Sequence, residues 1–155
     1  MIVRKYESKD LQAALEYSLP AEQAIFTSIP SEVLETFQSD IFNQPFVIYC
    51  DQQLVGWFAL YTDGMGNIYT NNKQAILLKS FSIDARFQKR GFGLDSLKLL
   101  PNIVKQHYKD KNEIILTVHE TNYAAISLYK KAGFIHEDEN YDWEYGIERI
   151  FRMGL

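Results

Sequence analysis

The sequence contains one cysteine, Cys50, so no internal disulfide can staple the fold, and the expected setting is a reducing cytoplasm. No apolar run approaches the roughly 18 residues of a membrane span. The opening MIVRKYESKD lacks the apolar core of a signal peptide, so no membrane partner is expected. Basic residues are not in excess, with 16 Lys and Arg against 20 Asp and Glu. Nucleic acid is therefore not an expected partner, because phosphate contacts need clustered cations. His107, His119 and His136 show no ligand spacing, and with one thiol in the chain no metal is expected. There is no internal repeat, linker or low-complexity tract.

What is present suits one globular domain over residues 1–155, with 46% hydrophobic and 23% charged residues. Ten Phe, ten Tyr and two Trp promise an aromatic core and cleft. The net charge of −4 is unevenly placed. Residues 1–133 balance, at 14 of each sign. Residues 134–155 hold Glu137, Asp138, Glu139, Asp142, Glu144 and Glu148 against Arg149 and Arg152. That segment reads either as a solvated acidic loop or as a surface for a cationic partner.

Periodicity gives a coarse order of elements. Ile2–Tyr6 alternates as a strand. Leu11, Ala14, Leu15, Ser18 and Leu19 recur at helical spacing, with Ser8 or Asp10 as the cap and Pro20 as the stop. Ala21–Ile29 has no assignment. Pro30-Ser31 opens a helix that faces Val33, Leu34 and Phe37 inward, with Ile41 a turn further on. Phe46–Tyr49 and Leu54–Tyr61 form a hairpin around Asp51-Gln52-Gln53, and Asp63–Lys73 is an exposed loop. Ala75–Ile83 is a strand, and a helix then runs from Gly91 toward Lys109, with a kink expected at Pro101. Glu113–Val118 is a strand, and Asn122–Ala132 a helix ended by Gly133. Phe134–Glu137 and Trp143–Met153 close the fold as strands joined by the acidic loop 138–142. The class is α/β, a mixed and mostly antiparallel central sheet flanked by helices.

The stretch AILLKSFSIDARFQKRGFGL (75–94) organises the rest. A strand enters a basic, glycine-containing turn that opens a helix. The first N–H groups of a helix have no partner within it, and its dipole favours an anion there. Gly91 and Gly93 let the main chain approach a ligand, and Lys89 and Arg90 add positive charge. The expectation is a pyrophosphate site. A dinucleotide fingerprint is not met, since Ser96 holds the third glycine position and Glu113 opens a strand instead of ending one.

Two motifs coincide. Gln88-Lys89-Arg90-Gly91-Phe92-Gly93 matches Gln/Arg-x-x-Gly-x-Gly/Ala, and Asn122 to Phe134 (NYAAISLYKKAGF) matches Asn-x-x-Ala-x-x-Leu-Tyr-x-x-x-Gly-Phe. Together, with a strand between them, they resemble the Gcn5-related N-acetyltransferase (GNAT) superfamily over essentially the full chain. The resemblance implies the acyl-CoA N-acyltransferase fold, in which the fourth and fifth strands splay and the pantetheine arm of acetyl-CoA lies in the gap. It implies that Phe81, Ser82 and Ile83 offer main-chain groups to the pantetheine amides. The N–H groups of Gln88, Lys89, Arg90, Gly91, Phe92 and Gly93 would hold the pyrophosphate. Asn122 would cap its helix while touching the cofactor, and Tyr129 would point its hydroxyl at the thioester sulfur.

The chemistry asks for the same parts. Amine attack on a thioester builds an oxyanion, which a fixed backbone N–H on Ser82–Ile83 could stabilise. The leaving thiolate has a pKa near ~8.5, and a tyrosine near ~10 can lend it a proton. A lysine-like amine at ~10.4 is on the order of one part in a thousand neutral at pH 7, so a base or water relay is needed. Asp84, His119, Glu120 and a water chain remain alternatives. From periodicity alone Tyr129 is also a packed core tyrosine, Asn122 a plain cap, and Cys50 a small hydrophobe. The reading is direct transfer from acetyl-CoA to a primary amine, a small polyamine or diamine if the acids at 137–148 face the cleft. A protein or peptide amine, or a catalytically silent acyl-CoA sensor, are the alternatives. Closing strands of such folds can pair between subunits, which makes a homodimer compatible with this reading.

Overall fold

A computed structural model describes residues 1–155. Seven strands form one sheet: β1 (Ile2–Lys5), β2 (Asn43–Cys50), β3 (Gln53–Tyr61), β4 (Ala75–Ile83), β5 (Glu113–His119), β6 (Asn140–Trp143) and β7 (Gly146–Gly154). Their order across the sheet is β1-β2-β3-β4-β5-β7-β6. Every pair is antiparallel except β4 with β5. The helices are α1 (Leu11–Leu15), α2 (Ala21–Ala24), α3 (Pro30–Ser39), α4 (Phe92–His107) and α5 (Tyr123–Ala132). The mixed α/β class and the splayed-sheet architecture expected from the sequence are present.

The sheet buries both faces. On one, α4 and α5 pack Leu97, Leu100, Val104, Ile126 and Tyr129 against Phe46, Phe58, Ile76, Leu78, Ile114 and Phe151. Phe46 and Phe58 are cross-strand partners, stacked 5.1 Å apart at 4°. On the other face, Tyr17 and Phe37 cover Val47, Trp57 and Ala59. The β2–β3 hairpin turns on Asp51 and Gln52, both at positive φ (48° and 66°), the pair of left-handed residues that a two-residue turn needs to follow the strand twist.

Several expectations need correction. The first helix stops at Leu15, so Leu11 and Leu15 stay exposed and Tyr17 enters the core instead. The end of β1 is held by Arg4, which pairs with the buried Asp10 carboxylate at 2.7 Å, while Asp10 accepts the Glu7 N–H at 2.8 Å. Ile41 falls beyond the end of α3 and is exposed. Ala21–Ile29 contains the one-turn α2. Pro101, by contrast, lies inside α4 where the sequence places it. Phe134–Glu137 is not a strand; only Ile135 bridges Arg152 there. The segment read as an acidic loop instead supplies β6, which forms a hairpin with β7. In the 63–73 loop Asn67 is buried, its Oδ1 accepting the Tyr69 N–H.

Candidate active site

The sheet is built to open. Ala75, Ile76 and Leu77 pair with Glu113, Ile114 and Ile115, and past these residues β4 and β5 no longer bond. On its other side β4 carries a bulge: Trp57 pairs with Ser82 and Ala59 with Lys79, with Ser80 at φ 53° taking up the extra residue. A cleft of about 700 Å³ runs through the split. Its size suits an extended ligand arm plus a small second molecule.

One half of the cleft lies on the α4–α5 side, and the expected residues converge there. Phe81, Ser82, Ile83, Gln88, Lys89, Gly91, Phe92, Gly93, Asn122 and Tyr129 all line it. Lys89 (φ 61°) and Gly91 (φ 88°) bend the turn into α4, where Gly91 is the N-cap. A Cβ at Gly93 would make ordinary contacts with Leu128 at 3.4 Å and Ile83 at 3.6 Å, so this position packs between α5 and β4. Asn122 caps α5 by accepting the Ala125 N–H at 3.3 Å, and Gly133 ends that helix at φ 101°.

Two details differ from the sequence reading. Arg90 is off the cleft wall, its guanidinium over the Phe87 ring and bonded to the Arg86 carbonyl. The Gln88 side chain is turned away from any anion, because its amide is consumed by Ile83 and Gln23. Lys131, missed in the sequence, is the second lysine on this wall after Lys89. Its signal was legible, since Ala124, Ser127, Leu128 and Lys131 share one helical stripe.

Tyr129 is nearly buried, its ring among Phe81, Phe134 and Phe151, and no protein group hydrogen-bonds its hydroxyl. Burial pushes that hydroxyl well above the ordinary tyrosine range, which leaves it protonated at neutral pH.

The three candidate bases separate cleanly. Asp84 is fully buried and outside the cleft. It accepts two hydrogen bonds from the Arg86 guanidinium, both at 2.9 Å, and the N–H groups of Arg86 and Ser18. Burial alone would raise its carboxyl, but these donors hold it below the usual range. It is an anchor for the β4 exit. Glu120 does not line the cleft. His119 does, but Thr121 N–H donates to its Nδ1, which leaves the proton on Nε2, and Nε2–H donates to the Tyr145 carbonyl at 3.1 Å. Both ring nitrogens are engaged.

The other half of the cleft was poorly legible in the sequence. Phe26, Thr27 and Ser28 come from the unassigned segment, Tyr69 from the supposedly exposed loop, and Thr117, His119 and Glu148 from β5 and β7. Of the six C-terminal acids only Glu148 reaches the cleft. It is half-buried with no ion-pair partner, and burial raises its carboxyl, with His119 acting in the opposite sense. Among the others, Glu139 is paired with Arg152.

A sheet that splits between β4 and β5, with a cleft lined by the 88–93 turn and the start of α5, defines a class: an acyl-CoA-dependent acyltransferase. The model of the Acetyltransferase (GNAT) family matches residues 11–134, and the chain belongs to that family. The uncharacterized N-acetyltransferase YbbJ of Bacillus subtilis (strain 168) is 33% identical over 132 residues, 84% of this chain and 82% of that protein. A spermine/spermidine N(1)-acetyltransferase of the same strain is 32% identical over 124 residues, 79% of each chain. In fold, the chain resembles the aminoglycoside acetyltransferase AAC(6')-Ib solved with ribostamycin and coenzyme A. The TM-score is 0.80 at 14% identity, covering 98% of this chain and 92% of that one. The protein is an acetyl-CoA-dependent N-acetyltransferase, and no helix in it is long and apolar enough to cross a membrane.

Proposed function

We propose that this enzyme acetylates a primary amine of a small polyamine or diamine by direct transfer in a ternary complex, within the cytoplasm. The observation that carries the acceptor class is Glu148, a half-buried carboxylate at the far end of the cleft without a counter-ion. An ammonium fits it, and the aromatic walls Phe26 and Tyr69 suit the alkyl chain of such an amine. A relative that acts on spermine and spermidine agrees with that chemistry. With a single acid available, the acceptor binds through one spare ammonium while a second, neutral amine faces the thioester.

In this reading the freed main-chain groups of Phe81–Ile83 hold the pantetheine amides. The N–H groups of residues 88–93, with Lys89 and Lys131, take the pyrophosphate, and Asn122 borders the cofactor. Attack forms the C–N bond and an oxyanion, which a main-chain donor on Ser82–Ile83 stabilises. The C–S bond then breaks, and Tyr129 donates to the departing sulfur. Because burial raises Tyr129, the proton must be replaced from the acceptor nitrogen, which loses one as the amide forms. Asp84 and His119 are engaged and Glu120 is outside, so that proton travels through water.

The test is a competition assay with acetyl-CoA and an equimolar mixture of spermidine, a diamine, a lysine-containing peptide, a peptide with a free N-terminus and an amino sugar, read by mass spectrometry. Acetylated spermidine or diamine is the expected product. A peptide product would overturn the acceptor class and demote Glu148 to a cleft-wall residue.

A further inference from the structure

Between α1 and α3, residues 21–28 contribute no buried residue to the core. No residue of α2 is buried, and Ile25 just beyond it is 76% exposed. Yet this segment places Gln23, Phe26, Thr27 and Ser28 on the cleft wall. Two side-chain contacts span it. At one end Gln23 and Gln88 exchange both amide hydrogen bonds, at 3.0 and 2.7 Å, and Gln88 Nε2 also donates to the Ile83 carbonyl at 2.8 Å. At the other end the Phe26 ring lies 5.7 Å from the His119 ring, tilted by 37°. Gln88 belongs to the turn that opens α4, Ile83 ends β4, and His119 ends β5. Residues 21–28 therefore form a strap across the split in the sheet, tied to the pyrophosphate turn on one bank and to the acceptor floor on the other.

We propose that Gln23 is a positioning residue that couples the two halves of the cleft. Through the Gln23–Gln88 pair, occupation of the 88–93 turn by coenzyme A fixes residues 21–28, and with them Phe26, the aromatic wall of the acceptor half. The inference rests on the acetyl-CoA reading above. The turn holds Lys89 in the left-handed region beside Gly91, so an anion held by its N–H groups stabilises the conformation in which the Gln88 amide meets Gln23. Neutral amide bonds contribute little unless their ends are already ordered, which makes this pair responsive to the state of the turn. By linkage, the factor by which coenzyme A tightens the acceptor is the factor by which the acceptor tightens coenzyme A.

The experiment compares the wild type with Gln23→Ala and with Gln23→Met, which keeps the bulk and loses the amide. Hydrogen exchange is followed in peptides covering Ala21–Ser28 with and without coenzyme A, and the Kd for coenzyme A is measured by calorimetry. In the wild type, coenzyme A should slow exchange in this segment by about fivefold or more, within the usual range of coupling between sites. Both variants should bind coenzyme A within about threefold of wild type and lose the slowing. With spermidine as acceptor, they should raise its KM by about tenfold and lose the tightening of coenzyme A that saturating spermidine gives in the wild type. Equal protection in wild type and variants, or none in a wild type that binds coenzyme A, overturns the coupling. A wild type that does not bind coenzyme A overturns the cofactor reading beneath it, so the two failures are distinct. The exchange result stands whether or not spermidine is the acceptor.

Discussion

Glu148 on β7 sits directly opposite His119 on β5, and both line the cleft. His119 is fixed by Thr121 and by the Tyr145 carbonyl, so its ring is a rigid floor and the neighbouring carboxylate is the group free to meet a ligand. The pairing leaves Glu148 half-buried without an ion-pair partner, and burying a carboxylate in that way costs stability.

Replacement of Glu148 by Gln should therefore raise the acceptor KM by roughly tenfold or more, the loss of one partly buried charge contact, with acetyl-CoA affinity kept. The sign of the pH effect follows from the raised carboxyl. Below its raised pKa the acid is neutral and cannot hold an ammonium, so acceptor KM should climb as pH falls, from a higher pH than an ordinary glutamate would give. That climb should vanish in Glu148→Gln. A group raised by burial destabilises the fold when ionised, so the variant should melt no lower than wild type at pH 7. A Tm drop beyond roughly 2–4 °C, about 1 kcal/mol in a chain of this size, would show that Glu148 is structural.

Tyr129 makes the converse case. Its hydroxyl has no protein partner, so Tyr129→Phe removes nothing that the fold uses, while the ring packing with Phe81, Phe134 and Phe151 is retained. Turnover should fall about 10²–10⁴-fold, the usual range for a lost general acid, with coenzyme A affinity and Tm unchanged. Equal kcat in the two proteins would remove Tyr129 from the chemistry.

The two cases also mark what was legible in the sequence. The Gln88–Gly93 turn and the Asn122–Gly133 helix could be read because caps and positive φ are local demands on residue type, met by Gly91, Asn122 and Gly133. The role of Tyr129 came from the family motif on the same helix, since periodicity alone makes it a core residue. Lys131 went unread, although it shares a stripe with Ala124, Ser127 and Leu128. Which individual side chains reach the other half of the cleft was not legible, because Phe26, Tyr69 and Glu148 lie on separate segments brought together only by the sheet order. Local charge density did not decide between a solvated segment and a binding surface. Five of the six C-terminal acids lie off the cleft, and part of that segment pairs as β6 against β7. At the N-terminus the apolar period pointed to Leu11 and Leu15, but the helix ended too soon to bury them, and Tyr17 took the core position, hydrogen-bonded to Ser82 at 2.8 Å.

Acid should unfold the protein in a defined window. Asp10 is buried, and although burial alone would raise it, the Arg4 guanidinium, the Glu7 N–H and the Tyr49 hydroxyl bring its carboxyl down to about 2. A carboxyl lowered from 3.8 contributes stability that is complete above the unfolded value and is lost as pH falls toward about 2. The contribution is on the order of 2 kcal/mol. Asp84, also lowered, acts in the same sense. Denaturant midpoints measured from pH 5 to pH 2 should fall steeply in wild type and less in Asp10→Asn, which starts from a lower stability. Parallel slopes would refute the assignment.

Two glycines offer a separation of the two ends of the cleft. Gly91 has φ 88°, and a Cβ there would meet only Asp95, at 3.8 Å, so Gly91→Ala strains the turn without a clash. Gly146 has φ 121°, and a Cβ there would lie 2.7 Å from His119 Nε2, so Gly146→Ala must push the ring off the Tyr145 carbonyl. Each substitution should cost about 1–3 kcal/mol of stability from backbone strain alone. Their functional effects should diverge. Gly91→Ala should weaken coenzyme A binding and leave the acceptor KM near wild type when acetyl-CoA saturates. Gly146→Ala should raise the acceptor KM and leave coenzyme A binding within about twofold, because His119 lies across the split from the 88–93 turn. Calorimetry and steady-state kinetics on the two variants decide the matter. A Gly146→Ala protein that folds yet fails to bind coenzyme A would break the division of the cleft into a cofactor end and an acceptor end.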